Sequence, residues 1–101
     1  MAKASQQQII AQLTALHPAL AQRYGVASFA LFGSVARNQH TATSDVDLLV
    51  SFSQPIGLEF FDLEAELSQH LGLPVDLLPR EGIKPHYWQR LAADVVEIPH
   101  G

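Results

Sequence analysis

Cysteine is absent from this chain. Neither a disulfide framework nor a thiolate zinc site can be built, and the composition suits a reducing, cytoplasmic setting. Basic residues are scarce as well: six Lys and Arg stand against ten Asp and Glu, giving a formal charge of −4. A phosphate-backbone footprint needs clustered Lys and Arg, so no nucleic acid is expected as partner. Residues 1–8 lack the apolar block of a signal peptide, and no apolar run approaches the ~20 residues of a membrane span, so no membrane partner is expected either.

What is there is enough for one core. Of 101 residues, 48% are apolar and 16% charged, which fits a single domain over residues 1–101 and not a disordered chain. A domain near this size hides only about 60 to 68% of its unfolded surface, which leaves room for help from a homo-oligomer or a protein partner.

Ser5-Gln6-Gln7-Gln8 has the spacing of a capping box, and Ile9, Leu13, Leu16 and Leu20 follow at helical intervals. The chain should open with a helix, broken near His17 because Pro18 cannot continue the ladder, and ended by Gly25. Val26–Phe32 then reads as a buried strand closed by Gly33. Residues 34–44 are polar and predict a turn or short helix and a loop. Residues 45–52 alternate Val46, Leu48 and Val50 against Asp45, Asp47 and Leu49, the period of a strand. Phe60, Leu63, Leu67 and Leu71 mark a further amphipathic helix closed by Gly72, residues 73–78 a third strand, residues 85–92 a short helix and residues 95–98 a closing strand. The fold class is α/β or α+β, a small sheet with helices on one side.

Residues two apart on a strand share a face with Cα atoms roughly 6.5 to 7 Å apart, so Asp45 and Asp47 can converge on one cation. Mg²⁺ takes oxygen ligands and is commonly held by one or two carboxylates together with substrate phosphates. An isolated Ser-Asp-x-Asp is more often a solvated strand face, with Ser44 making a local turn hydrogen bond. Asp76 adds weight, being one acid inside the apolar run Val75-Asp76-Leu77-Leu78. Either it points to solvent from an edge strand, or adjacent strands bring three carboxylates together that a divalent metal would neutralise. Gly33 can let backbone approach a ligand closely, and Ser34 offers a hydroxyl and an amide to phosphate, although a plain turn explains Gly33 too. Arg37 could counter triphosphate charge or simply be solvated.

Gly33-Ser34, ten intervening residues and then Asp45-Val46-Asp47 match the Gly-Ser-x10-Asp-x-Asp signature of the DNA polymerase beta-like nucleotidyltransferase superfamily. Within it, Leu31-Phe32-Gly33-Ser34-Val35-Ala36-Arg37, Ser44-Asp45-Val46-Asp47-Leu48-Leu49-Val50 and Val75-Asp76-Leu77-Leu78 resemble the small MNT antitoxin family, over roughly residues 28–91. The resemblance implies a nucleotidyltransferase fold, a short mixed β-sheet backed by helices. It maps the metal-binding and catalytic acids to Asp45, Asp47 and Asp76, and the phosphate-binding pair to Gly33 and Ser34. One departure stands out: Asn38 occupies the place where the family often has glycine, and asparagine is among the few residues that accept a left-handed backbone.

By the same resemblance, two Mg²⁺ ions and ATP as nucleotide donor are implied, with AMP transferred to a hydroxyl of a protein partner such as a HEPN-domain toxin. Larger members carry a domain for the acceptor, so here the acceptor is expected to bring its own surface. The alternative is a non-catalytic antitoxin that neutralises its partner by docking alone, and a third reading is a small-molecule nucleotidyltransferase of the antibiotic-modifying kind. His17, His40, His70, His86 and His100 show no zinc spacing and are read as surface or packing residues. Phe60, Phe61, Tyr87 and Trp88 could form core or a partner surface.

Overall fold

The computed structural model describes residues 4–99, and His100 lies outside them. It opens on α1, Gln6–Tyr24. The Ser5 hydroxyl accepts the Gln8 amide at 3.0 Å, while the Gln8 side chain accepts the Ser5 amide at 2.8 Å. This capping box satisfies two of the donors that a helix start otherwise leaves without partners. The expected break near His17 does not occur: α1 runs through Pro18, and Gly25 ends it in the left-handed conformation at φ 73°. An internal proline costs about 3 kcal/mol. Leu13 before it and Leu20 after it are fully buried, each worth about 1.5–3 kcal/mol, and splitting the helix would lift one of them from the core.

β1 (Val26–Phe32), the four-residue α2 (Gly33–Ala36), β2 (Val46–Phe52), α3 (Glu59–Leu71), β3 (Val75–Pro79), a 3₁₀ turn (Arg80–Gly82), α4 (Pro85–Leu91) and β4 (Val96–Glu97) follow. The strands form one sheet in the order β3-β2-β1-β4, with β2 and β3 parallel and the other pairs antiparallel. β3 starts two residues later than its apolar run suggested and ends on Pro79, which an edge strand tolerates because its missing N–H deprives no neighbour. α3 covers that edge: Ser68 Oγ accepts the Val75 amide and Glu64 Oε2 the Leu77 amide, each at 3.0 Å. Donors that could recruit a foreign strand are thereby occupied.

One sheet face carries the core. Phe29, Leu31, Val46, Leu48, Val50, Val75 and Leu77 pack under Ile9, Leu13 and Leu20 of α1 and Leu63, Leu67 and Leu71 of α3. At the far end of α1, Arg23 and Tyr24 both reach Glu66 of α3, the tyrosine hydroxyl at 3.0 Å, which joins the two helices. No described helix is long and apolar enough to cross a membrane.

The opposite face is organised in cross-strand rows. Asp76, Asp47 and Phe32 form one row, and Leu78, Leu49, Ala30 and Glu97 form the next. Ala30 and Leu49 are fully buried although they lie outside the helix-backed core. Arg80, two residues beyond Leu78, donates to both carboxylate oxygens of Glu97 at 3.2 and 3.1 Å. β3 and β4 are opposite edges of the sheet, so the arginine side chain crosses the face above Leu49 and Ala30. Trp88 of α4 lies against it, with the guanidinium carbon 5.8 Å from the ring centroid.

Candidate active site

The row of acids lies beside this strap and is open. Asp45 precedes β2 and is exposed, Asp47 is half-buried within β2, and Asp76 is exposed on β3. In the parallel register Asp47 is the direct partner of Asp76, so the two carboxylates leave the same face of adjacent strands, about 4.8 Å apart in backbone spacing. Burial pushes the Asp47 carboxyl above the usual carboxylate range, and the charges of Asp76 and Asp45 push it further. Arg37 opposes them. All three acids therefore share one electrostatic site.

Gly33 stands directly against Asp47. Its φ is +69°, and a Cβ placed there would collide with Asp47 Oδ2 and lie 3.0 Å from Asp47 Cγ. Two constraints, the left-handed backbone and the neighbouring carboxylate, both demand glycine. Ser34 is half-buried at the start of α2, its carbonyl accepting the Gln39 amide at 2.8 Å. Gly33 O and Val35 O likewise accept the amides of Arg37 and Asn38 at 3.1 and 3.0 Å. The chain turns out of α2 through Asn38, whose φ is +57°, the one positive value outside glycine among the described residues. Asparagine thus fills a conformational role that glycine could fill, and the loop keeps its shape.

Arg37 is exposed, donates from Nε to Gln39 Oε1 at 3.2 Å and approaches Asp94 at 4.0 Å. Ser44 makes the local turn, accepting the Thr41 amide at 2.8 Å. His40 is 4% exposed and its Nε2 meets Ala4 O at 2.6 Å. His17 packs edge-on to Phe29 in the core. His70 and His86 are exposed. The aromatics divide: Phe60 packs on the core and Trp88 on Arg80, while Phe61 and Tyr87 are 63% and 51% exposed.

Among the described residues no three His, Asp or Glu side chains stand ready-made as a metal-ligand set. The donors still suit a hard cation. They are carboxylate oxygens, they repel one another across a strand pair, and Mg²⁺ ordinarily takes one or two such carboxylates and completes its shell with phosphate and water. A hollow of about 470 Å³ lies at the other ends of the strands between Phe52, Pro55, Ile56 and Pro79. Gln54 and Glu81 complete its lining, which holds no cationic side chain for a triphosphate and none of the three aspartates.

The model of the nucleotidyltransferase domain family matches residues 13–97. This chain belongs to that family. It is 36% identical over 99 residues to the protein adenylyltransferase MntA of Thermococcus cleftensis, covering 97% of this chain and 100% of that one. A Methanocaldococcus jannaschii protein, provisionally named a protein adenylyltransferase, is 43% identical over 81 residues, 78% of this chain and 83% of the relative. A solved structure provisionally described as a minimal nucleotidyltransferase superposes with a TM-score of 0.76 at 30% identity, over 95% of this chain and 96% of that one. A toxin–antitoxin structure with AMP-PNP gives a TM-score of 0.70 at 18% identity, over 97% of this chain and 75% of that one, a likeness of fold. The nucleotidyltransferase domain is of the minimal, MNT type.

Three contributors in this nucleotidyltransferase domain left no readable mark in the sequence. Asp94 approaches Arg37 from beyond α4, and Arg80 with Glu97 roofs the row beside the acids. Gln6 reaches α2 from the first turn of α1. All are long-range pairings, and no periodicity announces them.

Proposed function

We propose that this domain is a protein adenylyltransferase that moves AMP from ATP onto a hydroxyl of a HEPN-domain toxin and so acts as its antitoxin. Asp45, Asp47 and Asp76 hold two Mg²⁺ ions in this reading, and Gly33, Ser34 and Arg37 receive the triphosphate. The observation that carries it is the direct pairing of Asp47 with Asp76 across β2 and β3, with Gly33 pressed against the same carboxylate.

The two ions, when bound, supply charge stabilisation for the entering and leaving oxygens. The chain's own residues do the rest. Gly33 and Ser34 present backbone and a hydroxyl to the phosphates, while Arg37 places a cation at the rim. The acceptor oxygen attacks the α-phosphorus, the bond to the bridging α–β oxygen breaks, and pyrophosphate departs. Asp76, exposed at the edge of the acid row, takes the acceptor proton.

Support for a protein acceptor comes from the relatives: the Thermococcus cleftensis protein is named a protein adenylyltransferase. A structure of similar fold holds a tri-AMPylated Shewanella oneidensis HEPN toxin with its MNT antitoxin, at a TM-score of 0.68 and 18% identity. The same reading puts the chain in the cytoplasm, where ATP, Mg²⁺ and a toxin are met together. Incubation with α-labelled ATP, Mg²⁺ and a purified HEPN partner tests it. Label and an added AMP mass on the partner are expected, and an unmodified partner that is nonetheless inhibited would replace transfer by docking.

A further inference from the structure

The first turn of α1 is in contact with the turn after Ser34 through two separate attachments. The Gln6 Nε2 amide donates to Val35 O and to Ala36 O, both at 2.9 Å, across about 30 residues of chain. One position before the cap, Ala4 O meets His40 Nε2 at 2.6 Å from the other end of the same loop. Between these attachments lie Arg37, Asn38 and Gln39. The capping box on Ser5 fixes the direction of the chain at this point, so Ala4 and Gln6 are held on either side of it.

We propose that Gln6 is a positioning residue for nucleotide binding, holding the loop of Gly33, Ser34 and Arg37 in its phosphate-receiving shape. The inference rests on the proposed role of that loop. Its physical basis is the short length of α2. Four residues make too little intrahelical ladder to be stable alone; Val35 O has the Asn38 amide as a local donor at 3.0 Å, and Gln6 adds a second donor there and one at Ala36 O. Gln6 supplies both N–H groups of one amide to two successive carbonyls. Side-chain amides are among the few groups able to do so. Phosphate recognition by backbone requires that these peptide planes be set before the ligand arrives, because ordering them on binding is subtracted from affinity.

Three measurements on the full chain test this. In Gln6→Ala, hydrogen exchange at the Arg37, Asn38 and Gln39 amides should accelerate about fivefold or more, since one lost hydrogen bond of net ~1 kcal/mol already has that effect. This readout does not depend on nucleotide. Unchanged exchange would overturn the clamp itself. The KM for MgATP in transfer to the partner, or the Kd for MgATP by calorimetry, should rise by about five- to tenfold with kcat within twofold. A merely structural role would lower the folded, active fraction and hence kcat at unchanged KM, and that result would overturn the assignment. Gln6→Glu, of equal size but without donors, should behave like Gln6→Ala or worse, because its carboxylate would face two carbonyls. If it binds MgATP as the parent does, donation by Gln6 is not the cause. A parent that binds no MgATP while Gln6→Ala still loosens the loop would refute the nucleotide site and leave only the clamp.

Discussion

Gly33 and Asp47 are packed so closely that the space a side chain would fill at one is occupied by the carboxylate of the other. The proposed phosphate loop and the acid row are therefore packed directly against each other. Gly72 has nearly the same backbone, φ +67°, but a methyl group there would meet nothing within 4 Å. Alanine at Gly72 should cost only the left-handed backbone penalty of about 1–2 kcal/mol. Gly33→Ala should cost that and roughly 1–3 kcal/mol more for the overpacked carboxylate. Urea unfolding of the two variants checks this, and equal losses would mean that the loop yields freely.

Asp47 carries a stability cost that pH can expose. Its folded pKa is raised, chiefly by burial and then by Asp76 and Asp45. A raised carboxylate contributes stability that is fully present below its unfolded pKa and is lost as pH rises through the folded value. At neutral pH without nucleotide, Asp47→Asn should therefore be more stable than the parent. Relief of partly exposed like charges is worth about 0.5–1 kcal/mol, or about 2–8 °C in Tm for a domain of this size. The gap should shrink as pH falls through the carboxylate range. MgATP should raise the Tm of the parent and not of Asp47→Asn. Melting curves at several pH values decide, and a variant less stable than the parent at neutral pH contradicts the sign.

How much of this was legible in the sequence depended on the range of the interaction. The capping box, the strand carrying Asp47, and the glycine closures of α1 and α3 are local, and residue types alone place them; the alternation overreaches by one residue at Asp45, which precedes β2. The acid cluster was legible because one signature joins Gly33, Ser34, Asp45 and Asp47 at fixed spacing. Pro18 is misleading on its own because its local cost says nothing of the leucines on both sides that hold the helix to the core. Gln6, Asp94 and the Arg80–Glu97 strap were not legible at all. Each pairs residues far apart in the chain that meet only in the folded domain.

The strap gives a prediction of its own. The Arg80–Glu97 pair spans the sheet at a row that offers Ala30, a fully buried residue with a single methyl group, between Leu49 and Glu97. Ala30→Leu would fill the space that the arginine occupies and break its bonds to Glu97. Overpacking of this kind costs about 1–3 kcal/mol, whereas Arg80→Ala with Ala30 intact loses a partly exposed pair and its packing on Trp88, about 1–2 kcal/mol. In the double variant the leucine has room, so the two losses should not add. A double-mutant cycle by urea unfolding measures this, and strict additivity would show that the strap does not cross Ala30.

The last prediction separates transfer from docking by what each asks of the carboxylates. Asp45→Asn with Asp47→Asn keeps shape and much hydrogen bonding while removing two charges from the proposed metal site. Transfer depends on that charge, because the metals neutralise the triphosphate and the oxygens that enter and leave; label transfer to a HEPN partner should fall by at least ~10³-fold, the scale lost when a major electrostatic stabiliser is removed. Docking depends on surface instead. Asp45 and Asp47 form a small part of it, and the exposed Phe61 and Tyr87 are untouched. The double variant should therefore still bind the partner, within about tenfold of the parent Kd, but leave its mass unchanged and its activity restored once the complex is diluted. The parent should leave a partner that stays inactive after dilution and carries AMP. Partner mass, activity after dilution and Kd, measured together for both proteins, give the decision: equal inhibition by parent and variant, reversed alike on dilution and with no adduct from either, would establish docking as the whole of the proposed antitoxin action.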